Sequence, residues 1–271
     1  MKNTPLLLFI LLSGFLSSQN KQFLYEYRFI PDSTNKADIK SEIMILNIQK
    51  DRSEYYSSVR FASDSAQAAD YKKGINSMPS GDALVSEWVT KSPNTNQIVH
   101  TTFLGWDKYK VKQEILLTWK LTGAFSKILN YDVQKATTEY GGRKWTAWFT
   151  KEIPIQDGPY KFKGLPGLIL KIEDSTKSHI WELKGIRSNQ KEFVYPDLKN
   201  YRIIELNHNQ FVKKYKNYRQ NPTADLVGQI PDQHDSTGKF RTSAEIIKEL
   251  NQMALEKLAK DNNLIEIDLL K

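Results

Sequence analysis

Gly164-Leu165-Pro166-Gly167-Leu168-Ile169 reads as a tight turn running straight into a buried strand. Proline presets φ near −65° and glycine tolerates φ > 0. Leu-Pro-Gly-Leu therefore predicts a type II turn, with Pro166 at its second position and Gly167 at its third. The apolar run Leu168-Ile169-Leu170 then enters a core. Upstream, Tyr131–Tyr140 and Arg143–Thr150 predict two strands joined by Gly141-Gly142, which fits a type I′ hairpin because both central residues of that turn need φ > 0. In the second strand Trp145, Ala147 and Phe149 share one face. Lys144, Thr146, Trp148 and Thr150 share the other, so Trp148 is an aromatic on a polar face. Downstream, Leu168–Asp174, residues 179–187 and residues 192–195 continue in strand pattern.

The same alternation extends towards the N-terminus. Phe23, Tyr25, Tyr27 and Phe29 alternate with Leu24, Glu26 and Arg28, which is a period of two. Residues 39–49 and 53–61 predict the next two strands. Residues 64–73 predict a short helix behind an N-cap at Asp64 or Ser65. Residues 77–82 and 91–96 carry turn chemistry. Residues 96–104 and 107–117 predict a hairpin turning at Gly105-Trp106, and 118–121 continue in strand pattern. Two helices follow. Asn207 and Gln210 form a capping box ahead of Phe211, Val212, Tyr215 and Tyr218, and that helix stops at Asn221-Pro222. A polar loop runs through Gly238. Thr242 and Glu245 form a second box ahead of an apolar stripe at Ile246, Ile247, Leu250, Met253, Ala254 and Leu258. Residues 264–270 predict a last strand. Strands followed by helices give an α+β class: a mostly antiparallel, strongly curved, half-barrel-like sheet with two C-terminal helices packed on one face. With no internal repeat and no linker composition, residues 19–271 are expected to form a single β-rich domain.

Residues 1–18 have the pattern of a secretory signal peptide: Lys2, an apolar run from Leu6 to Leu16, then Ser17-Ser18. Eleven apolar residues are too few to span a bilayer, which takes about 20. The expected address is the periplasm or the cell exterior, with no transmembrane segment in the mature chain. The chain contains no cysteine, which excludes disulfides, thiolate metal sites and cysteine nucleophiles. Its formal net charge is +8, but the charges are dispersed. The densest run, Lys213-Lys214-Tyr215-Lys216-Asn217-Tyr218-Arg219, reads as the solvated face of a helix. No nucleic-acid motif accompanies it.

From Tyr131 to Leu183 the chain resembles the GLPGLI family, an exported group typical of Bacteroidetes. The resemblance rests on linked pieces in order: Gln134-Lys135-Ala136, Gly142-Arg143 with Trp145, Ala147-Trp148-Phe149-Thr150, Ile153-Pro154, Gly158-Pro159, and then Gly164–Ile169 itself. The ending Asn262-Asn263-Leu264-Ile265-Glu266 also resembles the family's C-terminus, with Leu264 where proline is common. The resemblance implies export, a β-rich fold and an envelope partner such as an outer-membrane TonB-dependent-receptor-like protein. It implies no catalytic residue and no established activity.

The candidate binding residues are Tyr140, Arg143, Trp148 and Lys151, because aromatic and arginine side chains on a face outside the core can hold sugars or partner proteins. Gly164, Leu165, Pro166, Gly167, Leu168 and Ile169 read as a structural turn. His100, His179, His208 and His234 lack metal-ligand spacing among themselves, and Glu173-Asp174 lies close to His179 in sequence. Asp157 and Glu182 complete the acidic candidates. There is no G-x-S-x-G, H-E-x-x-H or P-loop, and no cofactor or metal is assigned. The primary expectation is a non-enzymatic exported binding or accessory protein. One alternative is a periplasmic hydrolase or metal-dependent enzyme built on His179 and the nearby acids. Another is a carrier of a hydrophobic molecule in a half-barrel cavity lined by Phe23, Tyr25 and Tyr27.

Overall fold

In the computed structural model the described residues are 20–189, 193–196, 198 and 202–271. The signal peptide read over residues 1–18 lies outside them. The aromatic alternation near the N-terminus forms β1 (Asn20–Phe29), followed by β2 (Lys40–Ile48), β3 (Ser53–Ser57) and helix α1 (Ser58–Lys72). Next come β4 (Trp88–Lys91), β5 (Gln97–Leu104), β6 (Asp107–Glu114) and β7 (Lys120–Ile128). They lead to β8 (Tyr131–Tyr140), β9 (Arg143–Thr150), β10 (Leu168–Asp174), β11 (His179–Asn189) and β12 (Ile203–Asn207). Helices α2 (His208–Gln220) and α3 (Ser243–Ala259) follow, with the two-residue strands β13 (Gln233–His234) and β14 (Phe240–Arg241) paired between them.

Twelve of these strands make one sheet in the order β12-β6-β5-β4-β3-β2-β1-β11-β10-β9-β8-β7. The neighbours pair antiparallel except β12, which lies parallel to β6. The sheet is not closed into a barrel, and the fold is α+β as expected. β1 sits in the middle because β2 and β11 both pair with it. Its alternation therefore drives Phe23 and Tyr25 to full burial on one face, beside Met44, Leu46, Trp145, Phe149, Trp181 and Leu183. We call that face the inner face. The outer face carries a smaller aromatic cluster in which Phe193 stacks on Tyr56 at 4.9 Å between centroids and Phe61 of α1 packs against both.

The connection from β9 to β10 is not a surface loop. Its residues Ile153, Tyr160, Phe162 and Leu165 are buried in the same core as the inner-face strands, so it plugs that face. Its polar groups need partners there, since an unpaired buried polar group costs about 1–3 kcal/mol. Lys91 forms a buried ion pair with Asp157 and donates to the Gly158 carbonyl at 2.5 Å. Ser53 donates to the other Asp157 oxygen at 2.5 Å.

The Gly141-Gly142 hairpin has the expected form, with φ of 61° and 77°. The Leu165–Leu168 turn does not. Gly167 N–H donates to the Leu165 carbonyl at 2.7 Å, and Leu168 N–H goes instead to the Ile153 carbonyl at 3.1 Å. This is a three-residue turn centred on Pro166 rather than a type II turn. The plug takes the N–H that a type II turn would use, and β10 begins pairing at once, Leu168 opposite Thr150. Gly167 has φ 151°, and a Cβ there would lie 2.0 Å from the Thr150 carbonyl oxygen.

Other differences are local. Helix α1 begins inside the strand predicted over 53–61, because the Ser57 hydroxyl caps it by accepting from Arg60 N–H at 3.0 Å. The pattern reading passes over β4 and β12, which are only four and five residues long. In place of a strand over 264–270 there is a 3-10 turn at Ile267–Leu270, folded against the Gly141-Gly142 hairpin. Residue 192 lies outside the described residues, and residues 193–195 form no strand.

Both predicted capping boxes are present. α2 buries Phe211 and Tyr215 with Leu104, Tyr109 and Val111 on β5 and β6. α3 has no fully buried residue. Arg219 ties it down from α2 by donating to the Leu258 and Asp261 carbonyls at 2.7 and 2.8 Å. Among the described residues no helix is long and apolar enough to cross a membrane.

Candidate functional site

Where the inner face runs out from under the plug, it walls a cavity of about 850 Å3. β1 and β5 supply one side, α2 and the end of α3 the other, and the segment 263–269 closes the back. The walls are largely aromatic, with Tyr27, Phe29, Tyr55, Tyr160, Phe211 and Tyr215 all contributing. Asp32, Asp38, Lys40, Lys257, Lys260 and Asp261 form a charged rim. The volume falls within the range of small-molecule sites, about 300–1,000 Å3.

Polar groups converge at the deep end. His100 on β5 is 4% exposed, yet neither ring nitrogen has a hydrogen-bond partner among the described residues. Glu87, just before β4, lies with Oε1 3.7 Å from His100 Nε2, which is too long for a hydrogen bond. Tyr160 donates its hydroxyl to Glu266 at 2.6 Å, and the buried Lys161 ammonium pairs with the same Glu266 oxygen. Burial raises the cost of charging Glu266. Lys161 beside it, together with His100, outweighs that cost and holds its carboxyl at about 2. Glu87 is likewise penalised by burial but held below its usual value by His100 and Lys161. Burial pushes the phenols of Tyr27, Tyr55 and Tyr160 well above their ordinary range, so they act as neutral hydrogen-bonding groups.

The backbone is strained at the same place. Tyr160 has φ 53°. Leu129 and Lys177 share that conformation, but they sit in short hairpin turns, whereas Tyr160 is in the buried plug. A non-glycine residue held there costs about 1–3 kcal/mol, and such outliers cluster at functional sites. Here the strain turns the Tyr160 ring into the cavity and Lys161 towards Glu266.

A second buried network fixes the back wall. Arg143 donates to Asp174 at 3.0 Å, to Asn263 Oδ1 at 2.6 Å and to the Leu264 carbonyl at 2.7 Å. His179 Nε2 donates to the Asn263 carbonyl at 2.8 Å. Its Nδ1 is therefore the acceptor for the Tyr27 hydroxyl at 2.7 Å. Burial, then the nearby Arg143, lowers the imidazole pKa to about 4, so His179 is neutral at pH 7.

The four residues singled out from sequence do not share one surface. Arg143 is buried on the inner face with Trp145, as strand alternation requires. Tyr140 is half-buried, with its hydroxyl near Glu266. Trp148 is half-buried on the outer face between Lys135 and Lys171, its cross-strand partners, and Lys151 is exposed. The turn residues Leu165, Leu168 and Ile169 are buried in the core. Asp174 and His179 are neighbours, while Glu173 points to the other face and pairs with Lys171 at 3.1 Å. Of the three residues expected to line a cavity, Phe23 and Tyr25 are sealed in the core and Tyr27 lines it.

Sequence reading missed Glu87, Tyr160 and Lys161 as site residues, and named His100 without a partner. These groups are brought together by the plug and the C-terminal segment, so no local spacing marks them. The quoted ending that contains Asn263 and Glu266 was the one available signal. Among the described residues no group of three or more histidines and acids could hold a metal ion.

Residues 141–171 match the model of a family described as a protein of unknown function (Porph_ging). The matched stretch is the Gly-Gly turn, β9, the plug and the start of β10. No curated protein matches. Among solved structures, the chain is similar to PNGF-II in space groups P21 and C2, with 17% identity in both cases and TM-scores of 0.51 and 0.50. Each match covers 72% of this chain but 33% and 32% of the other. The chain thus spans about a third of the length of the solved structures it resembles, and the likeness extends to the fold alone.

Proposed function

We propose that this chain is a non-enzymatic binding protein of the cell envelope that takes a small molecule into the inner-face cavity. The observation that carries this reading is His100: a buried imidazole lining a space large enough for a ligand, with no hydrogen bond to either nitrogen among the described residues. Leaving such a group unpaired costs about 1–3 kcal/mol, and a bound ligand removes that cost. The strained Tyr160 beside it supports the same site. The signal-peptide pattern at residues 1–18 supports export to the periplasm or exterior. The match over 141–171 supports assignment to the GLPGLI family. In this reading an outer-membrane partner meets the outer sheet face that carries Trp148.

Binding is favoured over hydrolysis because both ring nitrogens of His179 are committed to holding Tyr27 and Asn263. It is favoured over carriage of a purely apolar molecule because Glu87, Glu266 and His100 reach the deep end of the cavity. The test is a fragment library of neutral, cationic and anionic compounds, titrated into full-length protein with 15N-labelled histidine. Binders are expected to move the His100 ring signals in a saturable way and to leave His234 in place. A library that moves none of them, or only the exposed His234, removes the cavity as a binding site.

A further inference from the structure

We infer that the cavity selects a neutral cyclic polyol: a ring with one apolar face and adjacent hydroxyl groups. The inference rests on the binding reading above and concerns which chemistry fills the deep end. Among the described residues, the groups there without a hydrogen-bond partner are the two nitrogens of His100, with the Glu87 carboxylate 3.7 Å from one of them. A carboxylate only accepts hydrogen bonds. A neutral imidazole donates from one nitrogen and accepts at the other. A ligand that completes this set must therefore both donate and accept at adjacent atoms.

A quaternary ammonium does neither, and a primary ammonium only donates, so each leaves part of the His100 ring unpaired. A carboxylate or phosphate only accepts, so it leaves Glu87 without a donor and meets it as a like charge. Charge balance points the same way in either state of His100. Lys161 already neutralises Glu266. A protonated His100 would neutralise Glu87 at 3.7 Å and remove the attraction for a cation. A neutral His100 needs the donor and acceptor that a hydroxyl brings. Vicinal hydroxyls span the gap between Glu87 and His100, which the protein leaves too wide for its own hydrogen bond.

The aromatic walls set the rest of the shape. Tyr27 stacks on both Trp181 at 4.3 Å and Phe29 at 4.7 Å, so it fixes the wall and offers only its edge. Tyr160 and Phe211 meet His100 edge-on at 6.0 and 6.3 Å. The Tyr160 and Phe211 rings offer apolar surface to the C–H face of a saturated ring while its hydroxyl edge faces the polar end.

The experiment is calorimetric titration of the full chain with myo-inositol and a set of neutral methyl glycosides, beside choline, benzylamine, citrate and inorganic phosphate. At least one neutral polyol is expected to bind saturably, and His100→Ala and Glu87→Gln should each weaken it tenfold or more. Lys127→Ala, exposed on β7 and outside the cavity lining, should leave it unchanged. Thermal melts of each variant separate lost binding from lost folding, and Glu87→Gln keeps the shape if His100→Ala unfolds. Saturable binding of choline, benzylamine, citrate or phosphate with none by polyols overturns the ligand class and leaves the binding reading standing. Polyol binding indifferent to both variants overturns the inference as well. Silence from the entire set overturns it together with the binding reading.

Discussion

Single residues explain why the central hexapeptide is built as it is. Gly167 is required by a close approach: any Cβ there meets the Thr150 carbonyl at 2.0 Å, and φ 151° disfavours other residues as well. Gly167→Ala is expected to cost at least about 2 kcal/mol in urea unfolding. Gly123→Ala, where φ is ordinary and nothing lies within 4 Å of an added Cβ, should cost less than about 1 kcal/mol. Equal losses at the two positions would show that the close approach does not matter. Arg143 makes the complementary point. It was read as a binding residue, but its guanidinium stitches β9 to Asp174 and to the C-terminal segment. Arg143→Ala leaves a buried carboxylate unpaired, so about 3–5 kcal/mol of stability should be lost. A variant that melts like wild type would return Arg143 to the list of free surface groups.

At the scale of elements, the legible parts were those that local chemistry decides. The β1 alternation, the Gly141-Gly142 hairpin, the β5–β6 hairpin at Gly105-Trp106 and both capping boxes stand where the pattern puts them. What was not legible depends on tertiary pairing. β12 lies parallel at an edge and takes its register from β6. The 151–167 connection has no period because it is a plug, held by buried polar groups that come from distant strands. The candidate site belongs to this second kind, which explains why His100 was visible as a residue and not as a site. α3 shows the limit of an apolar stripe: Ile246, Ile247 and Leu250 are only half-buried and Met253 is 60% exposed. Few buried contacts mean low local stability. In hydrogen exchange the amides of α3 are expected to open well before those of β1 and β11. Protection of α3 equal to that of β1 would contradict its loose seating over the cavity.

For the whole molecule, His179 and Glu266 are two of the buried groups that shape the acid limb of stability. His179 has its pKa lowered from 6.5 to about 4, so the unfolded chain binds the extra proton first. Stability should therefore fall as pH drops from about 6.5 to about 4, and this contribution levels off below that. Glu266, lowered from 4.5 to about 2, stabilises fully above 4.5 and loses that contribution as pH falls towards 2. Urea midpoints measured from pH 7 to 3 should show both limbs in sequence. His179→Gln should flatten the upper one and spare the lower. A midpoint that stays constant down to pH 4 in wild type would contradict the buried neutral imidazole. The two groups belong to one construction, in which the C-terminal segment is pinned to the sheet by Asn263 and Glu266 and so closes the back of the cavity. That a neutral cyclic polyol enters this cavity and pairs the imidazole at its deep end is the central claim. The ring 15N signals of His100 in the full chain, followed while a neutral cyclic polyol is added, test it most directly. Saturable movement of those two nitrogens, with His208 and His234 unmoved, is the predicted result. An unresponsive His100 ring up to millimolar polyol, or movement shared equally by all four histidines, would contradict it.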